Sequence, residues 1–174
     1  FRPPLPGVEY YIGEIEDTFY LSEALTDMEC VIHLVSSTVP STSNLDPVAD
    51  ITTNLVSTVR LLELMRRAGP KRIVYLSSGG TVYGEPTRVP VRESDELKPL
   101  CSYGVTKIAV ENYLGMYESL YGLEPVVLRP SNPYGPRQGR IGVQGLIAAF
   151  LNRLQAGQKL TVWGDGEVVR DYFF

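Results

Sequence analysis

The sequence predicts an α/β fold organised on a doubly wound parallel sheet, and three observations carry that expectation. Four short apolar runs rich in Val, Ile and Tyr recur at residues 8–12, 30–35, 72–76 and 124–128, each the length of a buried strand. Two long amphipathic stretches separate the last three runs, so these strands cannot be joined as hairpins and are expected to run parallel through right-handed crossovers that cover both faces. The carboxyl ends of the runs, at 33–37, 77–80 and 129–132, are polar or small, as a ligand cleft at the strand ends requires.

Taken in order, residues 8–12 and 30–35 read as the first two strands. Residues 46–68 read as one amphipathic helix: Asp46-Pro47 opens it, Gly69-Pro70 closes it, and Ile51, Leu55, Val59, Leu62 and Met65 fall on one face. The strand at 72–76 follows. Residues 102–121 read as the second crossover helix, with Ile108, Leu114, Tyr117 and Tyr121 near helical spacing and Gly122 at its end, before the strand at 124–128. After Gly135-Pro136 the pattern changes to a helix at 142–155, then residues 160–163 and a Gly164-Asp165-Gly166 turn, which reads equally as a plain turn or a ligand contact.

With 174 residues, 44% hydrophobic and 21% charged, the chain has material for one ordinary domain with the edge of a second. A net charge of -4 argues against nucleic acid or anionic membrane as a partner. No apolar run approaches the roughly 18 residues of a membrane span, and the opening FRPPLPGVEY lacks a signal-peptide pattern. Cys30 and Cys101 stand far apart without a CxxC pair, which fits a reducing compartment and a cytoplasmic location. Neither Phe1 nor Phe174 reads as a natural terminus, so the chain is expected to be part of something longer.

Tyr103-Gly104-Val105-Thr106-Lys107 places a phenol and an ammonium four residues apart on one helical face. A cation held there favours phenolate, so the tyrosine could serve as a base near neutral pH, although an exposed i,i+4 pair is the commoner meaning of this spacing. Upstream, Leu76-Ser77-Ser78-Gly79-Gly80-Thr81-Val82-Tyr83-Gly84 offers hydroxyls and glycines at a strand end. His33, the sole histidine, reads as packing at a strand end; no metal ligand set accompanies it, and no GxSxG elbow marks a hydrolase.

Together with Glu93 ahead of Pro99, with 128–136 (LRPSNPYGP), with Gly13-Glu14-Ile15, Asn54 and Gly164-Asp165-Gly166, and with Arg170-Asp171-Tyr172, these motifs in this order resemble the NAD-dependent epimerase/dehydratase family, the extended short-chain dehydrogenase/reductases. UDP-glucose 4-epimerases are the nearest branch, and the resemblance covers essentially the whole chain. It implies an NAD-binding Rossmann domain at 1–136 that lacks its first βαβ unit, followed at 137–174 by the start of a smaller substrate-binding region.

It also implies roles, residue by residue. Tyr103 is the catalytic acid and base, with Lys107 binding the nicotinamide ribose and favouring the phenolate. Glu14 and Ile15 meet the adenine; Leu34, Val35, Ser36, Asn54, Ser77 and Pro130 line the cofactor; Asn132 and Arg170 meet the nucleotide-sugar substrate, Arg170 at its diphosphate. Where relatives carry a catalytic Ser or Thr, this chain has Gly79, so Ser78 or Thr81 would supply the hydroxyl to the sugar, Ser78 being preferred. The family's glycine-rich pyrophosphate turn is absent, which implies that the first strand, its helix and the second strand would precede Phe1.

The implied activity is epimerisation of a nucleotide sugar, a UDP-sugar 4-epimerase reaction by transient hydride transfer to NAD, in a homodimer. Gly79-Gly80-Thr81 replaces the Asp-Glu pair that 4,6-dehydratases use to eliminate water. A reductase, decarboxylase or dehydratase on the same scaffold, and a non-catalytic dinucleotide-binding protein, remain the alternatives.

Overall fold

The computed structural model describes residues 4–136, 138, 145–162 and 164–174. They fall into two compact units, Glu9–Arg129 and a second formed by Phe1–Val8 with Pro130–Phe174.

In the first unit three parallel strands form one sheet in the order β1 (Cys30–His33), β2 (Arg72–Leu76), β3 (Glu124–Leu128). The strands expected at 72–76 and 124–128 are present with those bounds, while the run at 30–35 pairs only as far as His33. Residues 8–12 are not a strand. Hydropathy suits them to a strand, but among the described residues no strand pairs with them, and Ile12 stands 98% exposed. A short helix the sequence reading lacked, α1 (Thr18–Ala24), begins where the Asp17 carboxylate accepts hydrogen bonds from the Phe19 and Tyr20 amides.

The expected helix at 46–68 is an α-helical start, α2 (Pro47–Asp50), a π-helical stretch (Ile51–Val56), and a regular helix, α3 (Ser57–Ala68). Both ends follow the sequence: Asp46 caps the Ala49 amide with Pro47 in the first turn, and Gly69 ends the run. The π stretch was not legible. Its wider turns shift the face N-terminal to it, so Asp50 and not Ile51 points inward; Ile51 is 44% exposed and Asp50 fully buried. Helix α4 (Ser102–Tyr121) has the expected bounds, closed by Gly122 at φ 69 in the left-handed region. Tyr121, expected on its buried face, is exposed at the last turn.

Leu61, Leu62 and Met65 of α3 and Val110, Leu114 and Tyr117 of α4 pack with Ile73 and Tyr75 of β2, Leu25 and Leu123 into one apolar core. Two successive crossovers of the same hand, advancing the sheet in one direction, put both helices on one face. That face is covered, but the expected cover of both faces is not found among the described residues: the opposite row keeps Ile32, Val126 and Leu128 exposed. Cys30 and Cys101 are unpaired. No helix among the described residues is long and apolar enough to cross a membrane.

In the second unit β4 (Asn132–Pro133) pairs in parallel with β5 (Tyr172–Phe173), neither of which was anticipated. The Tyr134 and Phe174 rings meet edge to face at 5.6 Å. Helix α5 (Leu146–Gln155) ends where the sequence placed it; Gly145, with φ 99, precedes it, and the expected start at 142–144 lies outside the described residues. Gly164 and Gly166 both have positive φ, and the Asp165 carboxylate accepts from the Glu167 amide, an ordinary Asx turn.

Candidate active site

A small cleft of about 10 Å³, close to the size of one water, opens at the carboxyl ends of β1 and β2. Val35, Ser36, Asp50, Asn54, Thr58, Tyr75, Tyr103, Thr106 and Lys107 line it, all within the Glu9–Arg129 unit. Of the expected site residues the structure gathers Val35, Ser36, Asn54, Tyr103 and Lys107 here.

Helix α4 delivers Tyr103 and Lys107 because of how it starts. The Asn44 side chain accepts the Ser102 amide at 2.8 Å, satisfying a first-turn donor from outside the helix. Gly104 lets the helix lie against the loop after β2: a Cβ there would stand 2.8 Å from both the Thr81 carbonyl oxygen and Pro99 Cβ. Lys107 is buried, donates from Nζ to the Leu76 carbonyl at 2.7 Å, and lies over the Tyr75 and Tyr103 rings at 4.8 and 5.4 Å. Burial lowers its amine to about 8, against the opposing pull of Asp50 and Glu111, so it stays mostly protonated at neutral pH.

The phenol behaves otherwise than expected. Burial first, and then the electrostatic influence of Cys101 and Asp50, push Tyr103 above its ordinary value, where the spacing leads to the expectation that Lys107 draws it down. The Lys107 ammonium lies 5.4 Å from the centroid of the Tyr103 ring and is engaged by the Leu76 carbonyl, and desolvation of the phenol is the dominant effect.

Behind the cleft His33 is buried and held neutral, lowered to about 4 by burial and then by the charge of Lys107. The Thr58 hydroxyl donates its one proton to the Asn54 carbonyl at 2.6 Å, so His33 donates to Thr58 from Nε2 at 2.9 Å. This agrees with the packing role expected of it. Asn54 is half-buried, and its amide is engaged: Nδ2 donates to Asp50 Oδ1 at 2.9 Å, and Oδ1 accepts the Ser37 amide at 2.9 Å.

The other expected residues lie outside the lining. Ser78 and Thr81 form one unit, with Thr81 Oγ1 donating to Ser78 Oγ at 2.7 Å. Ser77 is buried, and its hydroxyl donates to Glu111. Glu111 also makes a two-point ion pair with Arg129, at 2.6 and 3.1 Å, that ties the end of β3 to α4. Leu34 and Glu14 are exposed and Ile15 half-exposed. Pro130, Asn132 and Arg170 belong to the other unit; there Asn132 Nδ2 donates to the Asp171 carbonyl at 2.8 Å, and Arg170 is exposed.

Sequence reasoning missed Asp50, Thr58, Tyr75 and Thr106. The one signal that could have found Asp50 is its place one helical turn before Asn54.

A sequence profile described as "NAD dependent epimerase/dehydratase family" matches residues 5–174. UDP-glucose 4-epimerase of Mycolicibacterium smegmatis is 42% identical over 146 residues, covering 84% of this chain and 47% of its own. The crystal structure of UDP-glucose 4-epimerase from Thermotoga maritima, with UDP-glucose, matches 93% of this chain and 53% of its own at 37% identity and a TM-score of 0.87. That of the Thermus thermophilus UDP-glucose 4-epimerase, in complex with NAD, matches 97% and 57% at 33% identity and a TM-score of 0.88. The chain thus spans about half the length of the relatives it matches.

Proposed function

The chain belongs to the NAD-dependent epimerase/dehydratase family, and from that premise we propose that the protein is a nucleotide-sugar epimerase, a UDP-sugar 4-epimerase, working with NAD. The observation that carries the reading is the buried Lys107 amine sharing one cleft and one helix face with Tyr103 at the carboxyl ends of the strands. The donor set fits the nicotinamide-ribose end of the cofactor. Lys107 carries three protons and gives one to Leu76, leaving donors for a diol, while Val35 and Ser36 line the adjacent wall.

When bound, NAD supplies the acceptor and donor of hydride for the sugar carbon. The chain's own part is to move a proton and to hold the reactants. Tyr103 takes the proton of the sugar hydroxyl and returns it once the other face has been reduced. Lys107 holds the ribose and keeps positive charge beside the phenol. The linked hydroxyls of Ser78 and Thr81 are the available partners for the sugar oxygen in place of Gly79, Ser78 first. In this reading residues 1–136 are a partial doubly wound Rossmann domain and 137–174 the start of a substrate-binding region, Arg170 and Asn132 serve the diphosphate end of the substrate, and the full-length protein is a cytoplasmic homodimer.

Tyr103→Phe in the full-length protein is expected to lower turnover of UDP-glucose by about 10²- to 10⁴-fold while leaving NAD bound. Near-normal turnover would remove Tyr103 from the mechanism. Product analysis with UDP- and dTDP-sugars separates epimerisation from reduction, decarboxylation and dehydration, and no conversion of any of them would favour a non-catalytic binding protein.

A further inference from the structure

Asp50 is fully buried, and a buried carboxylate persists only where its oxygens are satisfied. Thr38 and Asn54 donate to Oδ1 at 2.5 and 2.9 Å, and Ser102 and Thr106 donate to Oδ2 at 2.6 and 3.0 Å. These donors come from the loop after β1, from the π-helical stretch and from the first two turns of α4. Ser102 precedes Tyr103, and Thr106 precedes Lys107. One carboxylate therefore sets both the rotation and the depth of the helix that carries the pair.

All four donors are neutral, so the negative charge of Asp50 is not cancelled within its own hydrogen-bond shell. Burial pushes this carboxyl up, but the bonds from Ser102, Thr38, Thr106 and Asn54 outweigh it and keep it ionised below its ordinary value. The charged and titratable groups facing Lys107 are Asp50 from α2, Glu111 and Tyr103 from α4, Tyr75 from β2 and His33 from β1. His33 is neutral, burial keeps the Tyr75 phenol protonated, and the charge of Glu111 is matched by the two-point pair with Arg129. Asp50 is left as the uncompensated anion beside the amine. Apolar residues could brace the same helix contact at lower cost, so a role confined to packing does not account for the charge.

We propose, on the reading of Tyr103 and Lys107 given above, that Asp50 is a positioning residue which clamps the start of α4 and holds the Lys107 amine as a cation. Two variants of the full-length protein separate these duties. Asp50→Asn removes the charge, and the ¹³Cε titration of Lys107, assigned through Lys107→Arg, should then move down by about one pH unit. An unmoved midpoint overturns the electrostatic half. Ser102→Ala with Thr106→Val removes both bonds to Oδ2 and leaves those of Thr38 and Asn54 to hold the carboxylate, so turnover should fall about tenfold or more with the Lys107 titration in place. Unchanged turnover overturns the clamp.

If Asp50→Asn does not fold, Asp50→Ser gives the same titration. Failure of both to fold would make Asp50 a structural brace and overturn the positioning role. The magnetic resonance titration does not depend on catalysis, so neither an active Tyr103→Phe, which would remove Tyr103 from the mechanism, nor a failure to convert any nucleotide sugar, which would end the epimerase reading, decides the Asp50 result.

Discussion

The two halves of α4 are buried to similar depth for opposite reasons. From Ser102 to Lys107 the helix buries Gly104, Thr106 and Lys107; from Val110 to Tyr117 it buries Val110, Leu114 and Tyr117. Each large apolar side chain in the second half gains about 1.5–3 kcal/mol by leaving water. In the first half burial costs free energy, recovered only in part through the bonds to Asp50 and the Leu76 carbonyl. Stability therefore concentrates in one half and tuned protonation in the other, and the two should respond separately to substitution.

The strongest attempt to break that separation is Leu114→Ala. Leu114 is fully buried in the core, so truncation should cost about 2–5 kcal/mol in denaturant unfolding and leave the Lys107 titration where it is. If the Lys107 midpoint moves with stability, the halves are not independent.

Acid should expose the polar half first. His33 is at about 4 in the folded protein against 6.5 when unperturbed, so between those values the unfolded chain binds a proton that the folded one refuses. Stability should fall as pH drops through that window, by at most about 3 kcal/mol in total. His33→Asn should flatten the dependence, and a wild-type protein equally stable across the window would contradict the buried neutral imidazole.

The smallest effect is expected where the apolar half meets solvent. The Tyr117 hydroxyl donates to Glu63 at 2.7 Å, and Glu63 also pairs with Arg66, which first and with Tyr117 holds its carboxyl down at about 2. Glu63 is partly exposed, so Tyr117→Phe should cost only about 1 kcal/mol near neutral pH. Glu63's contribution is present above 4.5 and lost as pH falls towards 2, so the wild-type and variant unfolding curves should converge there. A gap that persists at low pH would locate the effect in ring packing.

Much of the fold was legible because its signals are local. Gly122, of the residue type most at ease with that left-handed φ, closes α4 where expected, and Asp46-Pro47 opens the helix before it. The strands at 72–76 and 124–128 are apolar runs that pair at their full length. Residues 8–12 carry a similar signal and form no strand, because pairing depends on a neighbour that hydropathy does not supply. Asp50 escaped notice for a related reason: a carboxylate on an amphipathic helix reads as solvent-facing until a π-helical stretch rotates it inward.

The sequence by itself determined the parallel α/β order, the bounds of α4, β2 and β3, and the spacing that puts Tyr103 and Lys107 on one face, since these rest on residues within a few positions of one another. Only the tertiary structure decided that Lys107 faces the Tyr103 ring, that the phenol is pushed up, and that an anion stands behind both. Those outcomes depend on desolvation and on partners such as Asp50 and Thr106, 56 positions apart in the chain, and neither is encoded in any local pattern.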